Sequence, residues 1–399
     1  MKKTICVIGL GYIGLPTASL LATKGYRVTG VDINPKVVDS INRGQVHIVE
    51  PDLDVLVKSA VHSGNLSAAL QPQQADVFII AVPTPFGDNK VPNTQYVASA
   101  TRALVPWLEP GNLVILESTV PVGTTQAIVA DVIFSERPEL QGKLAVAHCP
   151  ERVLPGQILR ELIENDRVVG GIDSTSTEQA ADFYQEFVSG EVLATDAPTA
   201  EMAKLTENSY RDVNIAFANE LSMICDQLQI NVWEMIRLAN RHPRVNILNP
   251  GPGVGGHCIA VDPWFIVASA PETARLIRTA REVNDHKPEW VLDKVRQKAG
   301  RFKRPVVGCL GISFKADIDD VRESPALDIV TTLLREPDMD VLVTDPYAAA
   351  LPEFDLLPVN EVLQRADIVL VLVDHKPYRK LSAASLKEKI VIDTRGMLS

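Results

Sequence analysis

The stretch ICVIGLGYIG at residues 5–14 decides the fold. Its first half, Ile5 to Ile8, is a short apolar run of the kind that forms a parallel strand covered on both faces. Its second half has the spacing GxGxxG, and the residues from 15 to 24 then follow a helical pattern. A glycine hexapeptide between a strand and a helix indicates a nucleotide-binding α/β unit.

A second predicted strand, Arg27 to Val31, ends at Asp32. An acid in this position accepts hydrogen bonds from the adenosine ribose and repels a 2′-phosphate, so we expect NAD as cofactor and not NADP. Gly9 permits the tight turn, Gly11 admits the pyrophosphate and Gly14 lets the helix pack closely on the strand. The helix N-terminus supplies N–H groups for the phosphates. The alternative is a glycine turn that binds no ligand.

Composition excludes several classes of protein. The 399 residues suffice for two or three domains, and 46% apolar with 22% charged residues is ordinary for a globular enzyme. The net charge of -11 argues against a general binder of nucleic acid or of anionic membranes. Five scattered cysteines without CxxC spacing predict reduced thiols, with neither a disulfide framework nor a metal site. We therefore expect a cytoplasmic protein with no membrane span.

Two further buried strands end in candidate ligand contacts. The run from 75 to 82 is followed by Thr84, and the run from 113 to 116 is followed by Thr119. Ligands of open parallel sheets lie beyond the carboxyl ends of the strands, so both threonines are predicted to contact the cofactor or the substrate. The alternative is that either threonine caps the helix that follows it.

A charged pair follows the next predicted strand, 146–149. Glu151 and Arg152 lie there between two prolines, which favours a site at the end of a strand over an ordinary surface.

Residues 198–228 predict one very long helix, because they contain no glycine or proline after Pro198 and have apolar residues at helical spacing. Such a helix joins domains or pairs with its copy in a dimer. Lys204, Asn208 and Arg211 lie on one face of it, at steps of four and three. They form either a solvated stripe or, beside a neighbouring loop, a site for an anion or an alcohol.

The segment NPGPGVGGHC at residues 249–258 is a shaped loop, because four glycines and two prolines cannot continue a helix or a strand. It delivers the thiol of Cys258 just before Asp262 and Pro263, which have the pattern of an N-cap and a first helical residue. Cys258 is either a nucleophile with a lowered pKa at a helix N-terminus or a buried structural cysteine.

The loop has predicted helices on both sides, 232–240 before it and 271–299 after it. The donor-rich residues His242 and Arg244 lie between the first of these helices and the loop.

The α/β pattern returns near residue 305. The runs 306–310, 341–345 and 366–373 echo the strands of the N-terminal region, but without a second GxGxxG. We predict an α/β protein with two Rossmann-like doubly wound domains joined by a long central helix. The predicted segments are an NAD-binding domain (1–196), a helical connector and dimerisation domain with the Cys loop (197–300) and a UDP-sugar-binding domain (301–399).

Three motifs carry a resemblance over the whole length: CPERVLPG at 149–156, EMAKLTEN at 201–208 and GPGVGGHC at 251–258. With these motifs the chain resembles the UDP-glucose/GDP-mannose dehydrogenase family. The resemblance implies oxidation of C6 of a nucleotide sugar from alcohol to carboxylate with two NAD⁺, and a homodimer formed through the central helix.

The resemblance also implies catalytic roles. Cys258 would add to the C6 aldehyde to give a thiohemiacetal, which is oxidised to a thioester and then hydrolysed. Lys204 would polarise or protonate the C6 oxygen, and Asn208 would hold the same atom. Asp262 and Glu151 would manage the hydrolytic water.

The implied binding residues form two groups. Substrate contacts would come from Arg152, Val153, Lys204, Asn208, Arg211, His242, Arg244, Gly255, Lys315 and Arg395. Cofactor contacts would come from Gly9, Gly11, Tyr12, Ile13, Gly14, Asp32, Thr84, Thr119 and Arg322. His242 and Arg244 would act across the dimer interface, and His257 would have a structural or substrate role.

One departure bears on the substrate. Val261 stands where the UDP-glucose enzymes carry lysine, which argues against UDP-glucose and favours UDP-N-acetyl-D-mannosamine. The resemblance also implies a role in bacterial surface polysaccharide synthesis of the enterobacterial common antigen type. The alternatives are the same chemistry on UDP-N-acetylglucosamine or another nucleotide sugar, a two-electron hydroxyacid dehydrogenase, and a non-catalytic NAD-sensing protein.

Overall fold

The computed structural model describes residues 2–87, 90–154, 156–256, 258–349 and 351–398. The chain divides into two compact units. The first comprises Met1–Glu207 and Trp264–Pro271, and the second comprises Asn208–Pro263 and Glu272–Ser399. The predicted segments 1–196, 197–300 and 301–399 describe roles, and that division stays a prediction.

The strands of the first unit form one sheet. They are β1 (Thr4–Ile8), β2 (Arg27–Val31), β3 (Leu66–Ala69), β4 (Val77–Ile80), β5 (Leu113–Leu116), β6 (Ala145–His148), β7 (Arg167–Gly171) and β8 (Val192–Asp196). Their order is β3-β2-β1-β4-β5-β6-β7-β8, and neighbouring strands are parallel except for the β6–β7 pair. The order reverses beside β1, so a topological switch point lies at the carboxyl ends of β1 and β4.

Apolar residues of β1 explain why this strand lies inside the sheet. Ile5 and Val7 pack into the core on one face, and Cys6 and Ile8 pack into the core on the other. Helices that cover the sheet are α1 (Gly14–Thr23), α2 (Pro35–Asn42), α3 (Leu53–His62), α4 (Gln95–Leu104), α5 (Asp131–Glu136), α6 (Ile158–Glu164) and α7 (Ser174–Gln185), with a π-helix at Thr125–Ala130 and 3₁₀ turns at Val105–Trp107 and Pro138–Leu140.

The long helix is confirmed as α8 (Ala197–Gln227), an unbroken element of 31 residues. It is followed by α9 (Val232–Ala239), α10 (Asp262–Ser269) and α11 (Arg275–Ala299). The start predicted for α11, at Pro271, is wrong. The Thr273 carbonyl accepts from the Arg275 N–H at 2.8 Å in a tight turn, so the helix begins after it.

The second unit repeats the pattern of the first on a smaller scale. Its strands are β9 (Val306–Leu310), β10 (Asp340–Thr344), β11 (Ile368–Val371) and β12 (Ile390–Asp393). All pairs are parallel, and the order is β10-β9-β11-β12. Its helices are α12 (Pro325–Leu334), α13 (Val359–Arg365) and α14 (Ala383–Leu386), with a 3₁₀ turn at Tyr378–Lys380.

The repeat extends to the loops at the switch points. Gly9 and Gly311 both follow the first strand of their sheet, with φ of 93° and 90°. Asp32 accepts from the Leu10 N–H at 3.1 Å, and the second sheet has the same carboxylate-to-backbone bond. The prediction of two Rossmann-like domains joined by a long helix is therefore confirmed.

Within the described residues, no helix is both long enough and apolar enough to cross a bilayer.

Replacing Gly14 by alanine tests the packing at the first switch point. An ideal Cβ at Gly14 would lie 1.8 Å from the Gly9 carbonyl oxygen, whereas one at Gly11 would meet no atom within 4 Å. We expect Gly14→Ala to lower the free energy of unfolding by more than about 2 kcal/mol, because the backbone must shift. Gly11→Ala is the control, and we expect it to stay within about 1 kcal/mol of wild type. Equal stability of the two variants in urea unfolding would contradict this packing.

Candidate active site

The dinucleotide turn has the geometry that phosphates require. An ideal Cβ at Gly9 would lie 2.6 Å from the Ala81 carbonyl oxygen, so only glycine fits the turn, whereas the position of Gly11 is open. Helix α1 begins at Gly14, and the N-cap residue Ile13 offers no side-chain hydrogen bond to its first turn. A helix N-terminus without a side-chain cap suits the pyrophosphate of NAD, so the residues present fit this cofactor.

Asp32 is held in place by backbone donors. Its carboxylate accepts from the Leu10 N–H at 3.1 Å and from the Asn34 N–H at 2.9 Å. Carboxylate oxygens accept more than one bond, so lone pairs are left for ribose hydroxyls. Tyr12 is exposed and Ile13 half-buried beside the same turn. The predicted cofactor residues of β1 and β2 thus share one edge of the sheet.

Thr84 and Thr119 are brought together by the sheet. The Thr84 hydroxyl donates to the Thr119 carbonyl, so the loops after β4 and β5 are joined at the switch point. Neither caps a helix, because the helices that follow begin after Thr94 and Thr124. The capping alternative is wrong for both residues.

Glu201 holds the loop after β5, and sequence reasoning missed it. Its buried carboxylate accepts from the Gly123 N–H, the Thr125 N–H and the Thr125 hydroxyl at 2.5–2.7 Å. Burial raises the pKa of Glu201, although these hydrogen bonds oppose the shift. Glu201 therefore fixes the Thr119 loop to α8, one turn before Lys204. Its place in the motif with Lys204 was the only signal in the sequence.

Glu151 and Lys204 lie close together in the first unit. Burial raises the pKa of Glu151, and the ammonium of Lys204, only 7% exposed, opposes that shift. The Glu151 carboxylate also accepts from the Val153 N–H. A carboxyl group with a raised pKa beside a buried lysine can accept a proton from a water molecule and return it.

Arg152 is engaged by other groups of the protein. Its guanidinium lies 2.6 Å from the Glu207 carboxylate and donates to the Asp166 carbonyl at 3.1 Å. The loop itself is anchored by Glu50, also missed from sequence, whose carboxylate accepts from the N–H groups of Gly156 and Ile158 at 2.8 Å. A substrate anion at Arg152 would have to share the guanidinium with Glu207.

In the second unit Asn208 and Asp262 form a pair. The Asn208 amide donates to the Asp262 carboxylate at 2.5 Å. The predicted N-cap role of Asp262 is wrong. Its N–H already donates to the Cys258 carbonyl at 2.9 Å, so Asp262 is the first helical residue of α10 and its side chain is available to Asn208.

Cys258 is the exposed thiol among the five described cysteines, and Cys6, Cys149, Cys225 and Cys309 are buried. Burial raises the pKa of Cys6 to about 11 and that of Cys309 to about 12, so these thiols stay protonated. The interpretation of Cys258 as a buried structural cysteine is therefore wrong. Only an accessible sulfur can attack a substrate.

Close packing explains why glycines precede Cys258. An ideal Cβ at Gly255 would lie 2.2 Å from the Glu323 carbonyl oxygen, and one at Gly253 would lie 2.8 Å from Pro325. Gly256 has a φ of 83°, and an ideal Cβ there would lie 3.0 Å from the Phe314 ring. The surface that these glycines approach is therefore formed by the chain itself.

A buried polar network fixes the start of the same loop. Asn219 accepts from the Gly251 N–H at 2.8 Å and donates to Asn284 at 2.8 Å, and Asn284 donates to Asp212. Arg281 donates to the same Asp212 carboxylate at 2.6 Å. Burial raises the pKa of Asp212, and the Arg281 charge opposes the shift. Helices α8 and α11 are thus tied to the loop that carries the thiol.

The remaining candidates lie on exposed or partly exposed parts of the second unit. Arg395 is held by Asp374 at 2.9 Å and donates to the Pro250 carbonyl at 3.4 Å. Arg322 is paired with Asp320. Exposed side chains belong to Arg211, His242, Arg244 and Lys315. His257 lies outside the described residues, so its predicted role is untested.

Three family models match the chain. They describe the NAD binding domain of the UDP-glucose/GDP-mannose dehydrogenase family at residues 3–188, its central domain at 198–286 and its UDP binding domain at 308–399.

Named relatives match the chain over nearly its whole length. The NDP-N-acetyl-D-galactosaminuronic acid dehydrogenase of Ralstonia nicotianae is 59% identical over 409 residues, covering 100% of this chain and 96% of that protein. The UDP-N-acetyl-D-mannosamine dehydrogenase of Campylobacter jejuni is 55% identical over 390 residues, covering 94% and 96%. The solved UDP-N-acetyl-mannosamine dehydrogenase Cap5O from S. aureus is 43% identical, with a TM-score of 0.89 and coverage of 99% and 96%.

Lys287 gives the packing of α11 a pH dependence. It is 2% exposed, donates to Ser222 at 2.6 Å, and burial lowers its pKa to about 7. Between pH 7 and the ordinary lysine pKa the unfolded chain binds the additional proton, so stability rises with pH in that window. We expect wild type to gain about 2 kcal/mol more than Lys287→Met between pH 7 and pH 9 in urea unfolding. Lys298→Met, which changes a partly exposed lysine on the same helix, should follow wild type. Parallel profiles for all three proteins would contradict this.

Proposed function

Because the chain belongs to the UDP-glucose/GDP-mannose dehydrogenase family, we propose that it oxidises C6 of UDP-N-acetyl-D-mannosamine to the carboxylate with two NAD⁺. It is an NAD-dependent nucleotide-sugar dehydrogenase, and its substrate is a UDP-sugar. The observation that carries the four-electron proposal is the exposed thiol of Cys258, held at the end of a loop that is anchored at several points. A two-electron dehydrogenase needs no such nucleophile.

The thiol solves a chemical problem of the second oxidation. Hydride leaves from a tetrahedral carbon that carries an alkoxide oxygen. The carbonyl carbon of an aldehyde is planar and has no such oxygen until a nucleophile adds to it. Addition of the Cys258 thiolate to C6 forms a C–S bond and a thiohemiacetal, and loss of hydride from that carbon leaves a thioester. Water then cleaves the thioester, which releases the carboxylate and restores the thiol. NAD⁺, when bound, supplies the hydride acceptor in each of the two oxidations.

Four polar residues assist these steps in our proposal. Lys204 stabilises negative charge on the C6 oxygen, and its burial strengthens that interaction. Asn208 donates to the same oxygen, while its bond to Asp262 fixes the orientation of the amide. Glu151 and Asp262 accept and return the proton of the hydrolytic water. Support for Glu151 comes from the opposed effects of burial and Lys204 on its pKa.

For binding we propose the division of roles that the sequence predicted. The segment 1–196 holds NAD through Gly9, Gly11, Tyr12, Ile13, Gly14, Asp32, Thr84 and Thr119, and Arg322 adds a contact. The segment 301–399 holds the UDP group, with Lys315 at the diphosphate. Further substrate contacts come from Arg152, Val153, Arg211, His242, Arg244, Gly255 and Arg395.

A second candidate substrate follows from one of the relatives. The protein from Ralstonia nicotianae, 59% identical, is named for N-acetyl-D-galactosaminuronic acid. The manno and galacto sugars differ in configuration at C2 and C4, not at the carbon that is oxidised, so the proposed chemistry is the same for both. Val261 removes a lysine charge and supports an N-acetylated sugar over UDP-glucose. We propose that the enzyme acts in the cytoplasm. Its product would then be a precursor for surface polysaccharide of the enterobacterial common antigen type.

We also propose a homodimer formed through α8. Tyr210, Phe217 and Ile224 recur every seven residues along this helix, and Leu228 follows one turn later. Their exposed fractions are 69%, 50%, 44% and 62%. Apolar side chains repeated every seven residues form a stripe that two helices cover by packing together.

Counting NADH tests the proposed reaction. We expect two NADH for each UDP-N-acetyl-D-mannosamine consumed, and a kcat at least about 100-fold lower in Cys258→Ser, because an alcohol is a poor nucleophile and a poor leaving group. Cys225→Ser removes another thiol and should keep both the stoichiometry and the rate. One NADH per sugar, or full activity of Cys258→Ala, would contradict the thiol mechanism. A panel with UDP-N-acetylgalactosamine, UDP-N-acetylglucosamine and UDP-glucose identifies the sugar.

The proposed dimer predicts the effect of charges on the stripe. In Phe217→Glu/Ile224→Glu two carboxylates face their copies, so we expect monomers at micromolar concentration in sedimentation velocity. Leu276→Glu changes a leucine that is 70% exposed on α11 and should leave the dimer intact. A dimer in the double variant, or a monomeric wild type, would contradict the role of α8.

A further inference from the structure

The loop after β9 carries the residue proposed to bind the UDP diphosphate. This loop, residues 311–317, contains Lys315, whose side chain is exposed. It also contains Phe314, which lies against Gly255 and Gly256 of the thiol loop. The loop must be fixed in position if Lys315 is to meet a phosphate, because a displacement of about 1 Å weakens a charge-assisted contact.

One anchor of the loop is His375, a fully buried residue in the segment after β11, and the Lys376 N–H adds a bond to the Asp317 carboxylate at 2.8 Å. The Nδ1 atom of His375 lies 2.9 Å from the backbone nitrogen of Asp317, at the far end of the loop. The Nε2 atom lies 3.1 Å from the Asp345 carboxylate and 3.3 Å from the Ser313 hydroxyl. Ser313 in turn donates to the Lys315 carbonyl at 2.8 Å. One imidazole thus contacts both ends of the segment that includes Lys315.

These contacts fix the protonation of the ring. A backbone N–H only donates, so Nδ1 of His375 accepts from Asp317 and carries no proton. The proton is therefore on Nε2, where it points at the Asp345 carboxylate. Burial raises the pKa of Asp345, but hydrogen bonds from His375 and from backbone N–H groups outweigh it and hold the pKa near 2. Asp345 is thus a charged acceptor that keeps the neutral ring in this tautomer.

The first unit shows what this arrangement replaces. Asp345 follows β10 and accepts from the Ile312 N–H at 2.8 Å, just as Asp32 follows β2 and accepts from the Leu10 N–H. In the first unit the carboxylate faces the predicted site of a ribose. In the second unit the equivalent carboxylate, that of Asp345, is bonded to His375. The second sheet therefore keeps the acid of a dinucleotide site but uses it to support a loop.

We propose that His375 is a positioning residue for the nucleotide: its Nδ1 holds Asp317, and through it the 311–317 loop, so that Lys315 meets the UDP diphosphate. This inference rests on the proposed function, in which Lys315 contacts that diphosphate. His375 itself touches no substrate.

Two conservative variants separate the ring nitrogens. The amide oxygen of His375→Asn lies near the position of Nδ1 and can still accept from Asp317. The amide nitrogen of His375→Gln lies near the position of Nε2 and can still donate to Asp345, but this variant lacks the Nδ1 acceptor. Tyr378→Phe is the control for stability, because it removes another buried bond of the same cluster, the 2.9 Å bond to the Thr344 carbonyl, and leaves the bond between His375 and Asp317 in place.

The measurements are the Kd for UDP by calorimetry, the KM for the UDP-sugar, the kcat and the Kd for NAD. We expect His375→Gln to raise the Kd for UDP and the KM for the UDP-sugar about tenfold with little change in kcat. His375→Asn should stay within about threefold of wild type, and Tyr378→Phe should bind UDP normally. The Kd for NAD should not change in any variant.

The outcomes distinguish this inference from the proposed function. Normal UDP binding by His375→Gln would overturn the role of His375, and so would equal weakening in the two His375 variants, because packing alone would then explain the effect. Weakening in Tyr378→Phe equal to that in His375→Gln would overturn it as well. A wild-type protein that binds no UDP would instead contradict the proposed function.

Discussion

The close packing of the 251–256 loop against the rest of the second unit is the constraint on which the site depends. A side chain at Gly255 would overlap the Glu323 carbonyl, and a side chain at Gly256 would press on the Phe314 ring. Asn219 fixes the start of the loop through the Gly251 N–H. Only a glycine-rich chain can pack against this surface. The backbone of the loop is therefore held in one conformation, which fixes the position of Cys258 at its end. The thiol stays exposed although the loop before it is closely packed.

Buried carboxylates anchor three further segments of the chain. Glu201 binds the turn after β5, Glu50 binds the segment that begins α6, and Asp345 binds the turn after β9. Each accepts from backbone N–H groups, which replaces the water that a charged group loses on burial. Loops at the carboxyl ends of strands carry the ligand contacts, so fixing them with carboxyl acceptors orients the site before a ligand arrives.

Sequence reasoning predicted what depends on local pattern. The predicted strands, the GxGxxG turn and α8 follow from periodicity and glycine spacing over ten to thirty residues, and the structure has them within a few residues of the expected bounds. Strands β3, β7, β8 and β12 were not predicted. The anchors were missed because their partners are remote: Glu201 bonds Thr125 across 76 positions, and Glu50 bonds Ile158 across 108. The N-cap prediction for Asp262 was wrong because the turn that starts at Cys258 begins the helix earlier than the Asp-Pro pair indicates.

The proposed reaction passes through a covalent bond between Cys258 and the oxidised sugar. The direct measurement is mass spectrometry of the enzyme quenched in acid during turnover of its UDP-sugar with NAD⁺, with Asp262→Asn used to slow hydrolysis. We predict that the peptide containing Cys258 gains the mass of the sugar nucleotide acyl group, and that hydroxylamine removes it. Continued formation of carboxylate without any adduct on that peptide, in wild type and in Asp262→Asn, would contradict the account.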